Sequence, residues 1–445
     1  MDDSPHQDQK LPQSTSTAFP STEAPRSLSL WIFALAILSF GGQINTEVTG
    51  DWFPTFIHYT AGYPYVYWGY ITAVASVVGA VFFIVFGAIS DNIRSRYGRR
   101  IPFMIVGGVI VSVLTALFVA SADFLWLFLD YGILTAVAGN LARAGGAALT
   151  PELIPLEKRG RVNTLVTVMS NLGSAVAWIP ALILLPGNGT SYPTETVRIF
   201  VYAGAAIYGI TLIFACALIR EPPVVEPPRR WVDDIKSTLN WREMVKQKDF
   251  LLIFITNLLY NAASSAIFNY LFVFIQNINF NFDLTTIIAA VIVVTALVIG
   301  IYLLGKSIDT IGRKFVTILG LALAPIGSWV IALTNGNLIG LLIGFGIFFP
   351  FFLGGSTAMT AWQQDIMPKE ARARYFGVLN ISSAVGSGLG TILSGALADK
   401  FNIFWIFVAA ALILWASIPF FMKIRETLVK KKPANSDGTL ADLPI

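Results

Sequence analysis

The chain has 445 residues, of which 55% are hydrophobic and 13% charged, with a formal net charge of +4 and a mean hydropathy of +0.68. So much apolar surface exceeds what a water-soluble core takes up, which excludes a soluble globular protein and places the chain in a bilayer. The lone Cys216 excludes a disulfide framework, the two histidines His6 and His58 cannot hold a metal by themselves, and no phosphate-binding loop of the GxxxxGK[ST] type is present to use ATP. The basic excess is spread over loops that would face anionic lipid, so it implies no nucleic-acid partner, and nothing implies a cofactor.

In chain order, residues 1–27 are rich in Ser, Thr and Pro and are expected to be a disordered tail. The first apolar run is too long for a signal peptide and has no small-residue cleavage site, so it is taken as the first span. Stretches free of Lys and Arg divide into segments of about 20 residues, the length that crosses a bilayer. Twelve helices are predicted, near 28–48, 66–90, 101–120, 124–148, 162–185, 198–219, 250–275, 285–306, 314–333, 337–360, 376–397 and 403–423. All of the 30 Lys and Arg except Arg143, Arg198 and Lys400 fall in the tails or in alternate loops. The positive-inside rule makes those loops and both termini cytoplasmic in a multi-pass protein, expected in the cell membrane as a monomer.

The expected organisation is a tail at 1–27, a six-helix half at 28–219, a linker at 220–248, a second six-helix half at 249–423 and a tail at 424–445. Four prolines in the stretch from Glu221 to Pro228 break any helix there. Beyond them Trp231, Ile235 and Leu239 repeat every four residues among basic side chains, which fits either a short amphipathic helix on the inner membrane face or a solvated linker.

The two halves repeat each other. GAISDNIRSRYGRRIPF from Gly87 and GKSIDTIGRKF from Gly305 each place Gly four residues before Asp, then Gly followed by two basic residues. Downstream, Glu152, Pro155, Arg159 and Arg161 match Asp365, Pro368, Arg372 and Arg374 at one constant offset of 213 positions. Duplicated halves in a membrane protein place a substrate site at the repeat interface, which points to a transporter.

Six helices, a central loop, six more helices and the G-x-x-x-D…G-R-[RK] loops resemble the major facilitator superfamily from about Ser27 to Lys423. The longer first loop, SDNIRSRYGRRIPF, and the segment RAGGAALTPELIPLEKRGR resemble the sucrose-type and glycoside–pentoside–hexuronide:cation symporter branch. Gly145 and Gly146 stand where relatives often carry Pro, so the likeness is to a branch. The resemblance implies an all-α fold of two pseudo-symmetric six-helix halves and a cytoplasmic latch that holds the outward-open state. Its candidates are Gly87, Asp91, Arg94, Arg96, Gly98, Arg99, Arg100, Gly305, Asp309, Gly312, Arg313, Glu152, Arg159, Asp365 and Arg372. Glycines there would let helices approach closely, and the aspartates would accept hydrogen bonds from helix amides or arginines. The alternative reading for some of these arginines is a topology signal alone, as the positive-inside rule requires.

Within the predicted spans Asp130 and Arg143 are the clear ionisable groups, both on the fourth helix. Charge inside the membrane costs several kcal/mol and is a functional candidate by default. Thirteen residues separate the two, about 20 Å along a helix, so they cannot pair. Asp130 is the coupling-ion candidate, with Thr135 as an added oxygen if the ion is Na⁺. Arg143, with Asn140 nearby, is a candidate for substrate hydroxyls or a carboxylate, or else snorkels as structural glue. Glu47 and Asp51, expected near the outer end of the first helix, are further ion-coupling candidates or solvated interfacial acids. Asn171, Ser174 and Trp178 share one helix face, as do Asn257, Asn261, Ser265 and Asn269; such faces line a site for a neutral hydroxylated solute or bond helices together. The aromatic residues Trp52, Phe53, Phe56, Tyr59, Tyr63, Tyr65, Tyr67, Trp68 and Tyr70 are expected to form an interfacial belt.

The sequence therefore reads as a non-enzymatic secondary transporter of a sugar or glycoside, coupled to H⁺ or Na⁺ by alternating access. An efflux antiporter for lipophilic solutes is the alternative, against which the fifth helix, TLVTVMSNLGSAVAWIP, lacks the G-x-x-x-G-P-x-x-G-G pattern usual in superfamily antiporters. A third reading, a non-transporting sensor, is disfavoured by the short tails.

Overall fold

The computed structural model describes residues 24–93, 95, 98–146, 149, 153–154, 156–183, 193–221, 247–277, 299–300, 303–304, 307, 310–334, 336–367 and 372–426, with only the backbone described for 24–27, 91, 156–161, 181–183, 364 and 372–374. Among them there is no strand, and eleven helices are long and apolar enough to cross a membrane. These are α1 (Leu28–Thr60), α2 (Tyr65–Ser90), α3 (Ile101–Phe118), α4 (Phe124–Gly146), α5 (Val162–Pro180), α6 (Thr194–Leu218), α7 (Lys248–Gln276), α8 (Arg313–Leu333), α9 (Leu338–Gln363), α10 (Tyr375–Lys400) and α11 (Trp405–Met422). The span expected at 285–306 lies almost wholly outside the described residues, as do nearly all of the linker and both tails.

The outer surface is inverted relative to a soluble protein. Ile199, Ile210, Leu333 and Ile339 are 65–76% exposed, because hydrocarbon and not water surrounds them. In the first half α1 packs on α5 and α6, α3 on α4 and α6, and α2 on α4. In the second, α8 packs on α9 and α11, and α7 on α10 and α11. The long seam between halves is α2 against α10. Gly69 and Gly388 set its depth: a Cβ on Gly69 would stand 2.8 Å from the Ile392 Cα, and one on Gly388 2.9 Å from the Ala73 Cα. Helix backbones approach that closely only where side chains are missing.

The first helix departs from expectation. It does not stop near residue 48 but continues to Thr60 through two π turns, Val48–Trp52 and Phe56–Thr60. Pro54 has no N–H for an α ladder, and the wider turns on either side of it carry the helix past that gap. Thr49 and Thr55 hydroxyls bond the carbonyls of Asn45 and Asp51, so the polar run is satisfied within the helix.

This continuation overturns the aromatic belt. Trp52, Phe53, Phe56 and Trp68 are at most 1% exposed, and Tyr59, Tyr63, Tyr65 and Tyr67 pack against the same core, leaving Tyr70 as an exposed member. Trp52 stacks on Phe200 at 4.3 Å and meets Phe272 of the other half at 5.2 Å, while Phe53 stacks on Phe118 at 3.6 Å. Composition alone does not separate a belt from a core, since both favour large amphipathic rings.

Candidate functional site

Two adjoining cavities of ≈270 and ≈280 Å³ lie between the halves and share Ala75, Ser76, Asn140, Arg143 and Ser387 in their walls. The first half contributes Asn45 and Thr49 from α1, Thr72 and Ser76 from α2, and Tyr131, Thr135, Asn140 and Arg143 from α4. The second half contributes Asn261 and Asn269 from α7 and Asn380, Ser383 and Ser387 from α10. Among the described lining residues Arg143 is the only charged one. Its guanidinium lies 5.2 Å from the centre of the Phe83 ring, which supports the cation without neutralising it. A wall of amides and hydroxyls both donates and accepts hydrogen bonds, as a hydroxylated solute requires.

Of the substrate candidates, Arg143, Asn140 and Asn261 line this space. The Asn140 and Asn261 amide groups each donate at 2.8 Å to the carbonyl four residues earlier, which fixes their orientation. Asn257 is buried and does not line it. Its Nδ2 donates to the Leu379 carbonyl at 3.1 Å and the Ser383 hydroxyl at 2.8 Å, and its Oδ1 accepts from Gln363 at 3.2 Å, a network tying α7 to α9 and α10. Asn171 is exposed on α5 and borders neither cavity. Asn45, Asn380, Ser383 and Ser387 were missed, since isolated amides and hydroxyls carry no periodic signal until the halves are docked.

The acids lie deeper than the sequence suggests. Glu47 is half-buried and accepts from Gln43 at 2.7 Å, from the Ser174 hydroxyl at 2.6 Å and from the Trp178 indole at 3.0 Å. Trp178 in turn meets Phe272 edge-on at 5.2 Å, so hydrogen bonds join α1 to α5 and a ring contact joins α5 to α7. Asp51 is 6% exposed and sits beside Glu47. Neither is a solvated interfacial acid, because α1 carries both inside the protein. Asp130 is 0% exposed, in a π-wound stretch of α4 at Phe128–Thr135, and both its carboxylate oxygens are without a hydrogen-bond partner. The neighbouring hydroxyl is that of Thr135, which lines the cavity although Asp130 itself does not.

One end of the seam is closed. Gln276 donates to the Thr55 hydroxyl at 2.7 Å, Asn277 to the Tyr59 hydroxyl at 2.6 Å, and the Tyr270 hydroxyl to the Tyr65 carbonyl at 2.8 Å. The Asp399 carboxylate at the end of α10 accepts from the backbone N–H groups of Tyr65 at 2.8 Å and Val66 at 2.9 Å, capping the N-terminus of α2 across the seam. These cross-half contacts lie at the end remote from the basic loops.

At the basic end the described contacts stay within each half. Gly98 and Gly312 have φ of +102° and +133°, and a Cβ at either would strike the carboxylate of Glu221 or Glu426. Glu221, just past α6, accepts from the N–H groups of Arg99, Arg100 and Ile101 at 2.6–2.9 Å and so caps α3. Glu426, just past α11, accepts from the Lys314 N–H at 3.0 Å at the start of α8. Neither cap is among the candidates read from the sequence, although Ile-Arg-Glu at 219–221 recurs at 424–426 as a legible extension of the duplication. Arg313 pairs with Asp365 and donates to the Ala361 carbonyl at 3.2 Å, and Arg100 donates to the Ala144 carbonyl at 3.4 Å. A Cβ at Gly87 would meet no atom within 4 Å among the described residues. Arg94, Arg96, Glu152, Gly305 and Asp309 lie outside the described residues, and for Asp91, Arg159 and Arg372 only the helical backbone is described.

A family model described as Major Facilitator Superfamily matches residues 92–351 and 286–444. The MFS-type transporter ucsD of an Acremonium species is 29% identical over 113 residues, which is 25% of this chain and 19% of that protein. The match thus spans about a fifth of that relative's length. Solved structures with the same fold include a bacterial homologue of the human lysosomal transporter Spinster in an inward-facing, unoccupied conformation (TM-score 0.66, 15% identity, 89% of this chain and 96% of that one). The nucleoside transporter NupG superposes with TM-score 0.68 at 15% identity over 88% of this chain and 99% of its own. A D-xylose–proton symporter gives TM-score 0.67 at 15% identity over 90% and 98%.

Proposed function

This chain belongs to the major facilitator superfamily as a non-enzymatic, multi-pass membrane transporter, and from that premise we propose that it carries a sugar or glycoside, coupled to H⁺ or Na⁺, by alternating access. The observation that carries the substrate class is the cavity between the halves, with amides and hydroxyls from both sides and a single guanidinium. Arg143, Asn140 and Asn261 bind the solute, with Asn45, Asn269 and Asn380 completing the ring of amides. Two solved relatives, named as a D-xylose–proton symporter and a nucleoside transporter, handle hydroxylated solutes, which supports the same class here.

Asp130 carries the coupling ion. A fully buried carboxyl with only the Thr135 hydroxyl beside it is stabilised by a bound H⁺ or Na⁺, and its place on α4 next to cavity-lining Tyr131 and Thr135 links ion and substrate through one helix. Glu47 and Asp51 form an acidic pair on α1, where Trp178 bonds Glu47 and meets Phe272 of the other half. With the basic loops and both termini cytoplasmic in the cell membrane, the closed end is the outer one and this conformation faces inward. The Gly87–Arg100 and Gly305–Arg313 loops, with Glu152, Arg159, Asp365 and Arg372, form the latch of the opposite state.

The test is uptake by proteoliposomes holding the purified chain, with labelled mono- and disaccharides under imposed pH or Na⁺ gradients. Accumulation of a sugar driven by one of the gradients is expected. Transport of lipophilic cations with no response to any sugar would establish the efflux reading instead.

A further inference from the structure

Away from the seam, α3 and α6 part at the basic end of the first half to leave a groove of ≈670 Å³. That is within the range of about 300–1,000 Å³ typical of ligand sites. Its walls are Ile101, Ile105, Val106, Ile213 and Ala217. Ile105, Val106 and Ile213 are 37%, 52% and 53% exposed on the outer face of the helices, so the groove opens sideways into hydrocarbon.

Two charged residues stand at its mouth, and they differ in kind. The Glu221 carboxylate is occupied by three backbone N–H groups and the positive end of α3. Arg220 is exposed, lines the groove, and has no acidic partner among the described residues. An apolar trough entered from the bilayer, with an uncompensated guanidinium at the level of the loops, matches one kind of molecule: an acyl chain joined to an anionic phosphate.

We propose that this groove is a binding site for an anionic phospholipid, with one acyl chain between α3 and α6 and the headgroup phosphate on Arg220. A guanidinium fork holds a phosphate through two parallel hydrogen bonds. Basic pockets between membrane helices take anionic headgroups, and one Arg near the surface is worth about fivefold in affinity. A zwitterionic lipid presents the same chains but brings its own cation, so Arg220 selects against it.

Native mass spectrometry of the detergent-purified full chain, incubated with phosphatidylglycerol or phosphatidylcholine of identical chains, tests this. Phosphatidylglycerol adducts are expected to be retained several-fold more than phosphatidylcholine adducts. Arg220→Gln should make the two equal, and Ala217→Trp, which fills the groove, should reduce both. Inorganic phosphate alone should give no adduct. Equal retention of the two lipids by the native chain, selectivity unchanged in Arg220→Gln, retention of free phosphate, or a lipid-free dimer would each overturn the proposal. Arg220 is exposed and its removal leaves the Glu221 cap in place, so that variant decides the matter even if Ala217→Trp misfolds.

Discussion

Replacing Asp399 with Ala removes the carboxylate that caps α2 from across the seam. Two charge-assisted hydrogen bonds are lost, at 2.8 and 2.9 Å. Hydrogen bonds to a charged group are worth about 1.5–3 kcal/mol each when buried, but this one is exposed and water replaces it, so a net loss of about 1–2 kcal/mol is expected for the closed state. That shifts the equilibrium between closed and open outer ends by roughly 5–30-fold toward open. The folded halves themselves are untouched, because the packing within each half, α2 on α4 and α7 on α10, does not depend on this carboxylate. Double electron–electron resonance between spin labels at Ala122→Cys and Lys400→Cys, with Cys216 replaced by Ala, reads the distance across the outer rim. The parent protein should give mainly a short distance, and Asp399→Ala should add a longer component. An unchanged distribution in a well-folded variant would show that Asp399 does not hold the seam.

Three further outcomes follow from contacts described above. Asn261→Ala should weaken apparent sugar affinity by about tenfold, whereas Asn257→Ala should lower the thermal unfolding temperature, since it breaks bonds to three partners; equal effects on both properties would refute the division. Glu221→Ala should cost about 1–3 kcal/mol of stability, because its carboxylate caps three N–H groups at the start of α3, as thermal melts in detergent would reveal; an unchanged melting temperature would refute the cap. Gly388→Leu should abolish transport while preserving membrane insertion, because its side chain would enter the Ala73 backbone, and normal uptake by that variant would contradict the close seam.

The fold was readable because bilayer physics imposes it: runs free of Lys and Arg set the spans, and the duplicated loops set the two halves. The site was readable only in part. Arg143 stood out because a charge inside a span is rare, and Asn261 because it belonged to a four-residue repeat. The same repeat also contained Asn257, whose different fate depends on which neighbours α7 meets, and no pattern along one helix records that. Glu47 and Asp51 were misplaced because a run of polar residues ordinarily ends a span, while here π turns and threonine bonds carry α1 onward. The aromatic core was misread for the same reason, since the rings follow α1 into the seam. Glu221 and Glu426 show the reverse case, in which the repeated Ile-Arg-Glu was visible and its capping role emerged only with the helix starts beside it.

In the proposed mechanism Asp130 couples an ion gradient to movement of a sugar. Asp130→Asn in proteoliposomes, assayed in parallel for pH- or Na⁺-driven accumulation and for equilibrium exchange of the same labelled sugar, tests it most directly. The amide keeps the shape of the side chain and removes its charge, so gradient-driven accumulation should vanish while binding and exchange persist. Full gradient-driven accumulation by the Asn variant would contradict the assignment, and joint loss of folding and binding would reduce Asp130 to a structural residue of α4.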